Sequence, residues 1–269
     1  MEFGQLLVVI IETPGSTRSQ PLIRSLESDH RFNVVRLSAC MLSTYSEVEN
    51  LDTPVNLETF KFLQGRIMTP QEIGCAVSHN LARGLLASSA IGGVILEDDA
   101  RIQNFDSFFE SASKFLYEQL GKISILSLNE FSSKDTSNFE RKGFQRLLGK
   151  PFLALAYAAT PKAATALQKA NQPLGTVADW PTARVTFFSV FKPLVLHGDT
   201  SSGSTIDIHG SLDRKGLKII HKFYQLLFIS FFHKPKNLSL SQYINEVHWS
   251  RISRRLDMTI RRFLRVVSR

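Results

Sequence analysis

Apolar residues run unbroken from Leu6 to Ile11, most of them β-branched. That pattern predicts a strand buried on both faces, as in a parallel sheet. Thr13-Pro14-Gly15-Ser16 ends it. A helix is expected from about Ser19 to Ser28 and a second strand from Asn33 to Leu37, the opening of a nucleotide-binding α/β fold. Residues 41–69 are polar and irregular, with Pro54 inside. Thr69-Pro70-Gln71-Glu72 then signals a helix start: Thr at the N-cap, Pro at the first helical position, Glu three residues after the cap. This helix carries the sequence GCAVSHNLARGLLAS and is followed by Gly92-Gly93. Val94-Ile95-Leu96 predicts a third strand, ending in Glu97-Asp98-Asp99. Phe105 to Leu120 reads as a helix, Ile123 to Leu128 as a strand, and 129–150 as a polar, mobile loop. Phe152 to Ala158 is apolar again, and Thr160-Pro161 opens a helix to about Lys169. Asp179-Trp180-Pro181 marks a tight loop, and Thr186 to Leu196 supplies the last strand material. Gly198 to Gly210, rich in Gly, Ser and Thr, reads as flexible. A boundary near residue 210 separates an α/β domain, 1–210, from a basic, aromatic, helical segment, 211–269.

The charge balance of the 269-residue chain is uneven. Its formal charge is +8, with a pI near 9.6. From Ser250 to Arg269 there are seven arginines and one acid, Asp257, so this tail holds an excess of +6. The remainder is close to neutral, unlike a uniformly basic nucleic-acid binder. The two cysteines, Cys40 and Cys75, build neither a metal-type spacing nor a disulfide framework. The N-terminal residues MEFGQLLVVIIETPG lack a basic leader and a small-residue cleavage site. Leu6–Ile11 is too short to span a bilayer, and no other segment reaches spanning length without charge. The expectation is a cytoplasmic protein that touches a membrane without crossing it.

The acidic triplet is the most informative feature. Carboxylates closing an apolar strand stand at the carboxyl edge of the sheet, where open α/β sheets bind ligands. Alternation along an extended chain places Glu97 and Asp99 on one side and Asp98 on the other. Two carboxylates on one side suit Mg²⁺ or Mn²⁺ held jointly with substrate phosphates. Helix caps and solvated turns also use such acids, and phosphatases and nucleases hold paired metals the same way.

The stretch GCAVSHNLARGLLASSAIGGVILEDDARI, Gly74 to Ile102, resembles glycosyltransferase family 25. A Gly-Cys-x-x-Ser-His helix is followed by a Leu-Glu-Asp-Asp strand end in the family's order and near its spacing. The N-terminal strand and turn with Arg18, and Asp179-Trp180-Pro181, are weaker matches, so the resemblance spans roughly residues 5–206. The chain departs from the family at Ile11-Glu12-Thr13-Pro14-Gly15, where Asn-Leu and two arginines are usual, and at Ala39-Cys40, where Asp-Gly is usual. It departs again at Ala154-Leu155-Ala156-Tyr157-Ala158, in place of Gly-Thr-x-Ala-Tyr.

The resemblance implies a GT-A-type nucleotide-diphospho-sugar transferase fold, a single Rossmann-like mixed sheet flanked by helices. It also implies a UDP-sugar donor, a divalent cation (Mn²⁺, or Mg²⁺), inversion at the anomeric carbon, and a lipid-linked lipooligosaccharide or LPS core acceptor. Galactose is the first expectation for the sugar. By analogy Asp99 is the first metal contact; Glu97 and Asp98 contact ribose, sugar hydroxyls or the metal shell, and Glu97 is a second candidate ligand. Inversion needs a base for the acceptor hydroxyl. Asp179 is the candidate, with Glu130 in reserve and Trp180 available to stack on the acceptor sugar. Ser78 and His79 diverge as helix neighbours, so they are no nucleophile–base pair; they either hydrogen-bond the nucleotide or brace the loop beside it. Thr13 and Arg18, in the turn after the first strand, are candidate donor contacts, Arg18 for phosphate. His197 either reaches metal or diphosphate or is an ordinary surface histidine.

In the tail, Ile252, Leu256, Ile260, Phe263, Leu264 and Val267 recur at helical spacing, with arginines on the other side. Such a basic amphipathic helix suits an anionic membrane surface, expected to bind through 251–269 at the inner face of the bacterial inner membrane. Packing on the main domain or an oligomer contact is the other reading. Nucleic acid is not expected as a partner. Two rival functions stand: a metal-dependent phosphoesterase, and a non-catalytic membrane-associated binding protein on the same fold.

Overall fold

The computed structural model describes residues 3–58, 67–129, 136–141, 143–147, 154–178 and 183–198. The expected tail, the 211–269 segment and the loop from Asp179 to Pro181 lie outside the described residues, as does Glu130.

An eight-stranded mixed sheet forms the centre, in the order β2-β1-β3-β8-β5-β9-β7-β6. Its strands are β1 (Leu6–Glu12), β2 (Phe32–Ser38), β3 (Gly93–Glu97), β5 (Ser124–Ser127), β6 (Thr136–Arg141), β7 (Phe144–Leu147), β8 (Ala156–Ala159) and β9 (Thr186–Val190). A separate antiparallel pair joins β4 (Ala100–Ile102) to β10 (Val195–His197). β1 pairs in parallel with both β2 and β3, and β5 in parallel with β9. β8 runs antiparallel between β3 and β5. The carboxyl ends of β1, β2, β3, β5 and β9 therefore share one edge.

Burial follows the period of two. Leu6, Val8 and Ile10 face a core shared with α1 (Gln20–Glu27) and α4 (Phe105–Glu118). Val9 and Ile11 face the opposite core, where α3 (Pro70–Ser88) and α5 (Pro161–Ala170) pack. That two-sided burial is why β1 reads as continuous apolar sequence rather than alternation. A third cluster, including Leu42, Met68, Ile73 and Leu174, lies under the loop after β2.

The start of α3 forms as its sequence demands. Thr69 accepts from the Glu72 backbone N–H at 3.2 Å, and the Glu72 carboxylate accepts from the Thr69 N–H at 2.9 Å, with Pro70 in the first turn. A second such box, Thr44 with Glu47, opens the short α2 (Tyr45–Glu49) inside the stretch expected to be irregular. The mobile loop expected over 129–150 is also corrected, because β6 and β7 form a hairpin there. Gly143 (φ 99°) stands between them, and Phe144 packs edge-on to Phe115 and Phe188. A strand near the sheet's rim needs only one or two apolar anchors, so its polar composition hides it.

Candidate functional site

β3 stops at Glu97, and Asp98 and Asp99 form the turn into β4. Extended alternation therefore ends one residue early. Glu97 and Asp98 line one cleft with Thr13, Cys40, Ser78 and His79. The cleft lies at the carboxyl edge of β1 and β3, where the topology places ligands.

Each acid has its own partner. His79, 1% exposed, sets Nε2 3.1 Å from Glu97 Oε1. Arg18 reaches across from the turn before α1; its Nη2 donates to Asp98 Oδ1 at 2.8 Å and lies 4.0 Å from Asp99 Oδ2. His197 Nδ1 stands 3.6 Å from Asp99 Oδ2. The small sheet delivers it: His197 pairs with Ala100, and the Gly198 N–H donates to the Asp99 carbonyl. A Cβ at Gly198 would sit 2.8 Å from that carbonyl, so glycine permits the approach.

The cluster is short of positive charge. Burial pushes the Asp99 carboxyl above its usual range, and the charge of Glu97 adds to the rise. Asp98 Oδ2 and Asp99 Oδ1 are buried and have no hydrogen-bond partner among the described residues. Buried carboxylate oxygens are rarely left so, and hard oxygen donors of this kind fit a divalent cation. Hydrogen bonding to Asp98 raises Arg18 above its ordinary value, so it stays a cation beside the pair.

Ser78 does not face a reaction partner. Its hydroxyl donates to the Gly74 carbonyl and accepts from the Cys40 N–H, both at 2.8 Å, which ties α3 to the loop after β2. This is the bracing role. His79 is likewise held from behind: Nδ1 lies 3.3 Å from the Tyr157 hydroxyl, which accepts from Arg83 Nε at 3.1 Å. A carboxylate can only accept from Nε2, which places the neutral ring's proton there and makes Nδ1 the acceptor for Tyr157. Arg83 is fully buried and donates through Nη2 to the Ala178 carbonyl at 2.5 Å.

Sequence reasoning missed Tyr157, Arg83 and Cys75. One signal was present: Cys75, His79 and Arg83 recur every four residues along the helix, which puts them on one face. Their partners on β3 and β8 are distant in sequence and carry no such mark. Glu12 was missed as well. It closes β1 and accepts from Ser19 Oγ (2.7 Å) and Arg36 Nε (2.6 Å).

Residues 16–182 match the family model described as glycosyltransferase family 25 (LPS biosynthesis protein). The chain belongs to glycosyltransferase family 25. The family match takes in Arg18, the signature helix, the acidic triplet and the Asp179 loop, and stops before His197 and the basic tail. The mixed α/β sheet with helices on both faces fits a family 25 transferase, and membership assigns glycosyl transfer in lipopolysaccharide biosynthesis. The chain has no significant match to a curated protein sequence.

Proposed function

We propose that this family 25 protein transfers a hexose, galactose in the first instance, from a UDP-sugar to a lipooligosaccharide or LPS core acceptor. Transfer proceeds with inversion, depends on a divalent cation, and uses a GT-A-type arrangement of the sheet. One observation carries the reading: two buried carboxylate oxygens on Asp98 and Asp99 without a partner among the described residues, beside a half-exposed arginine, at the ligand-binding edge of the sheet.

Asp99 holds Mn²⁺ or Mg²⁺ first, with Asp98 beside it and His197 within reach. When bound, the cation stabilises negative charge on the departing diphosphate. Arg18 neutralises phosphate oxygens, and Thr13 lines the cleft toward the nucleotide. Glu97, oriented by His79, serves the ribose or donor-sugar hydroxyls rather than the metal. Ser78 and the α3 turn it ties hold the wall of the cleft. The acceptor hydroxyl passes its proton to a carboxylate on the face opposite the leaving group. Asp179 takes that role, with Glu130 in reserve; both rest on the sequence motif.

Calorimetric titration of UDP with and without Mn²⁺, on wild type and Asp99→Ala, tests the donor site. Mn²⁺-dependent binding that the substitution abolishes is expected. Wild-type protein that binds no UDP under either condition sinks the UDP-sugar reading. Cleavage of UDP-galactose to UMP and galactose 1-phosphate, undiminished in Asp179→Ala and indifferent to acceptor, would favour a phosphoesterase.

A further inference from the structure

Cys75 and His79 lie four residues apart on α3 and so project from the same face of the helix. The Cys75 sulfur, a ring nitrogen of His79 and a carboxylate oxygen of Glu97 all lie within 4.8 Å of one another. All three side chains line the cleft. Thiolate, imidazole and carboxylate are together a borderline-soft donor set. It suits Zn²⁺ or Co²⁺, whereas Mg²⁺ and Mn²⁺ favour the all-oxygen surroundings of Asp98 and Asp99.

We infer that Cys75, His79 and Glu97 form a second metal site, for a zinc-class ion, with three protein ligands and its remaining position open to the cleft. Donor atoms around a four-coordinate zinc stand roughly 3.2–3.7 Å apart, from bond lengths of about 2.0–2.3 Å. His79 Nε2 and Glu97 Oε1, at 3.1 Å, are already close to that spacing. The Cys75 sulfur, within 4.8 Å of both, closes the set by a side-chain adjustment.

Binding releases the thiol proton of Cys75 to solvent. It replaces the Nε2–H···Oε1 hydrogen bond with two metal bonds, so the ring's remaining proton is carried on Nδ1 rather than Nε2. There it faces the Tyr157 hydroxyl, which Arg83 fixes. Metal-binding histidines are usually oriented by such a partner on their other nitrogen. The ion also takes Glu97 out of the donor site, so, on the function proposed above, zinc opposes transfer.

The test uses the full chain, stripped with a chelator, reduced and titrated with Co²⁺. The expected result is a near-ultraviolet thiolate-to-cobalt charge-transfer band with the visible bands of four-coordinate cobalt, saturating at one ion and erased by Zn²⁺. Cys75→Ser, with its fold checked by circular dichroism, should lose the charge-transfer band. Cys40→Ser and Asp99→Asn should keep it. Tyr157→Phe should keep the band and weaken cobalt binding about tenfold, the low end for loss of a histidine-orienting partner. No charge-transfer band in the wild type, a band that survives Cys75→Ser, or one lost instead with Cys40→Ser overturns the site. None of these readouts depends on UDP binding, so this inference and the donor-site reading fail separately.

Discussion

The Tyr157 hydroxyl lies between a fully buried guanidinium and a buried imidazole, in a strand where every side chain is out of water. Burial pushes the phenol's pKa up and keeps it protonated as a donor to His79. Tyr157→Phe leaves Arg83 Nε and His79 Nδ1 short of a partner. The expected cost is about 1–3 kcal/mol per buried group left unsatisfied, read from the urea midpoint at unchanged slope. A loss indistinguishable from zero would mean that the hydroxyl contributes nothing to holding this layer. Glu12 gives a prediction with a pH signature. The Arg36 guanidinium beside it holds its carboxyl below the usual range. A depressed carboxylate adds stability above its ordinary value and loses it as pH falls through the folded value. Wild type should therefore melt above Glu12→Gln near neutrality, and the gap should close as acid protonates Glu12. A gap that stays constant into strong acid would exclude the ion pair as its source. At this scale the sequence displayed the chemistry of the triplet, Ser78 and His79. It did not display which acid each cation holds, because Arg18 and Asp98 are 80 positions apart and His79 and Glu97 18.

Helix α3 supplies three of the cleft's polar side chains, so what fixes the helix fixes the site. Thr69→Ala removes the hydroxyl half of its capping box and should cost about 1 kcal/mol in chemical denaturation. Gly74 is under a tighter constraint. A Cβ there would lie 2.2 Å from the Cys40 carbonyl oxygen, a backbone atom that cannot swing away. Gly74→Ala must push the loop after β2 off the helix and break the Ser78–Cys40 bond. Overpacking of this kind costs about 1–3 kcal/mol, and UDP affinity should fall with it. Retained stability and affinity would show that the loop is freer than the packing implies. Elements with strong local signals were legible: β1 from its unbroken apolar run, and α3 and α5 from cap and proline. α2 carried the same Thr-x-x-Glu signal and was passed over because its surroundings are polar. The insertion of β8 antiparallel between β3 and β5 has no local signature, since pairing order is decided by non-local contacts.

On the scale of the whole molecule, family membership rests on residues 16–182, whereas most of the excess positive charge lies in 250–269. Among the described residues, no helix is long and apolar enough to cross a membrane. If the acceptor is lipid-linked, as proposed above, it meets the cleft at a bilayer surface, and the arginines supply the means if each is attracted to anionic headgroups. That attraction is worth about 1 kcal/mol per basic residue near the surface and fades over a Debye length. The full chain should therefore float with vesicles containing phosphatidylglycerol and not with pure phosphatidylcholine, and added salt should weaken the binding. Changing Arg254, Arg255, Arg261 and Arg262 together to serine removes half of the chain's formal excess charge. The variant should lose flotation while Mn²⁺-dependent UDP binding persists, because Asp98, Asp99 and Arg18 belong to the sheet edge. If flotation is lost together with UDP binding, the tail acts through the catalytic fold rather than on the lipid. If flotation survives the substitution, the arginines are not the anchor, and the aromatic stretch from Ile219 to Phe232 becomes the segment to change next.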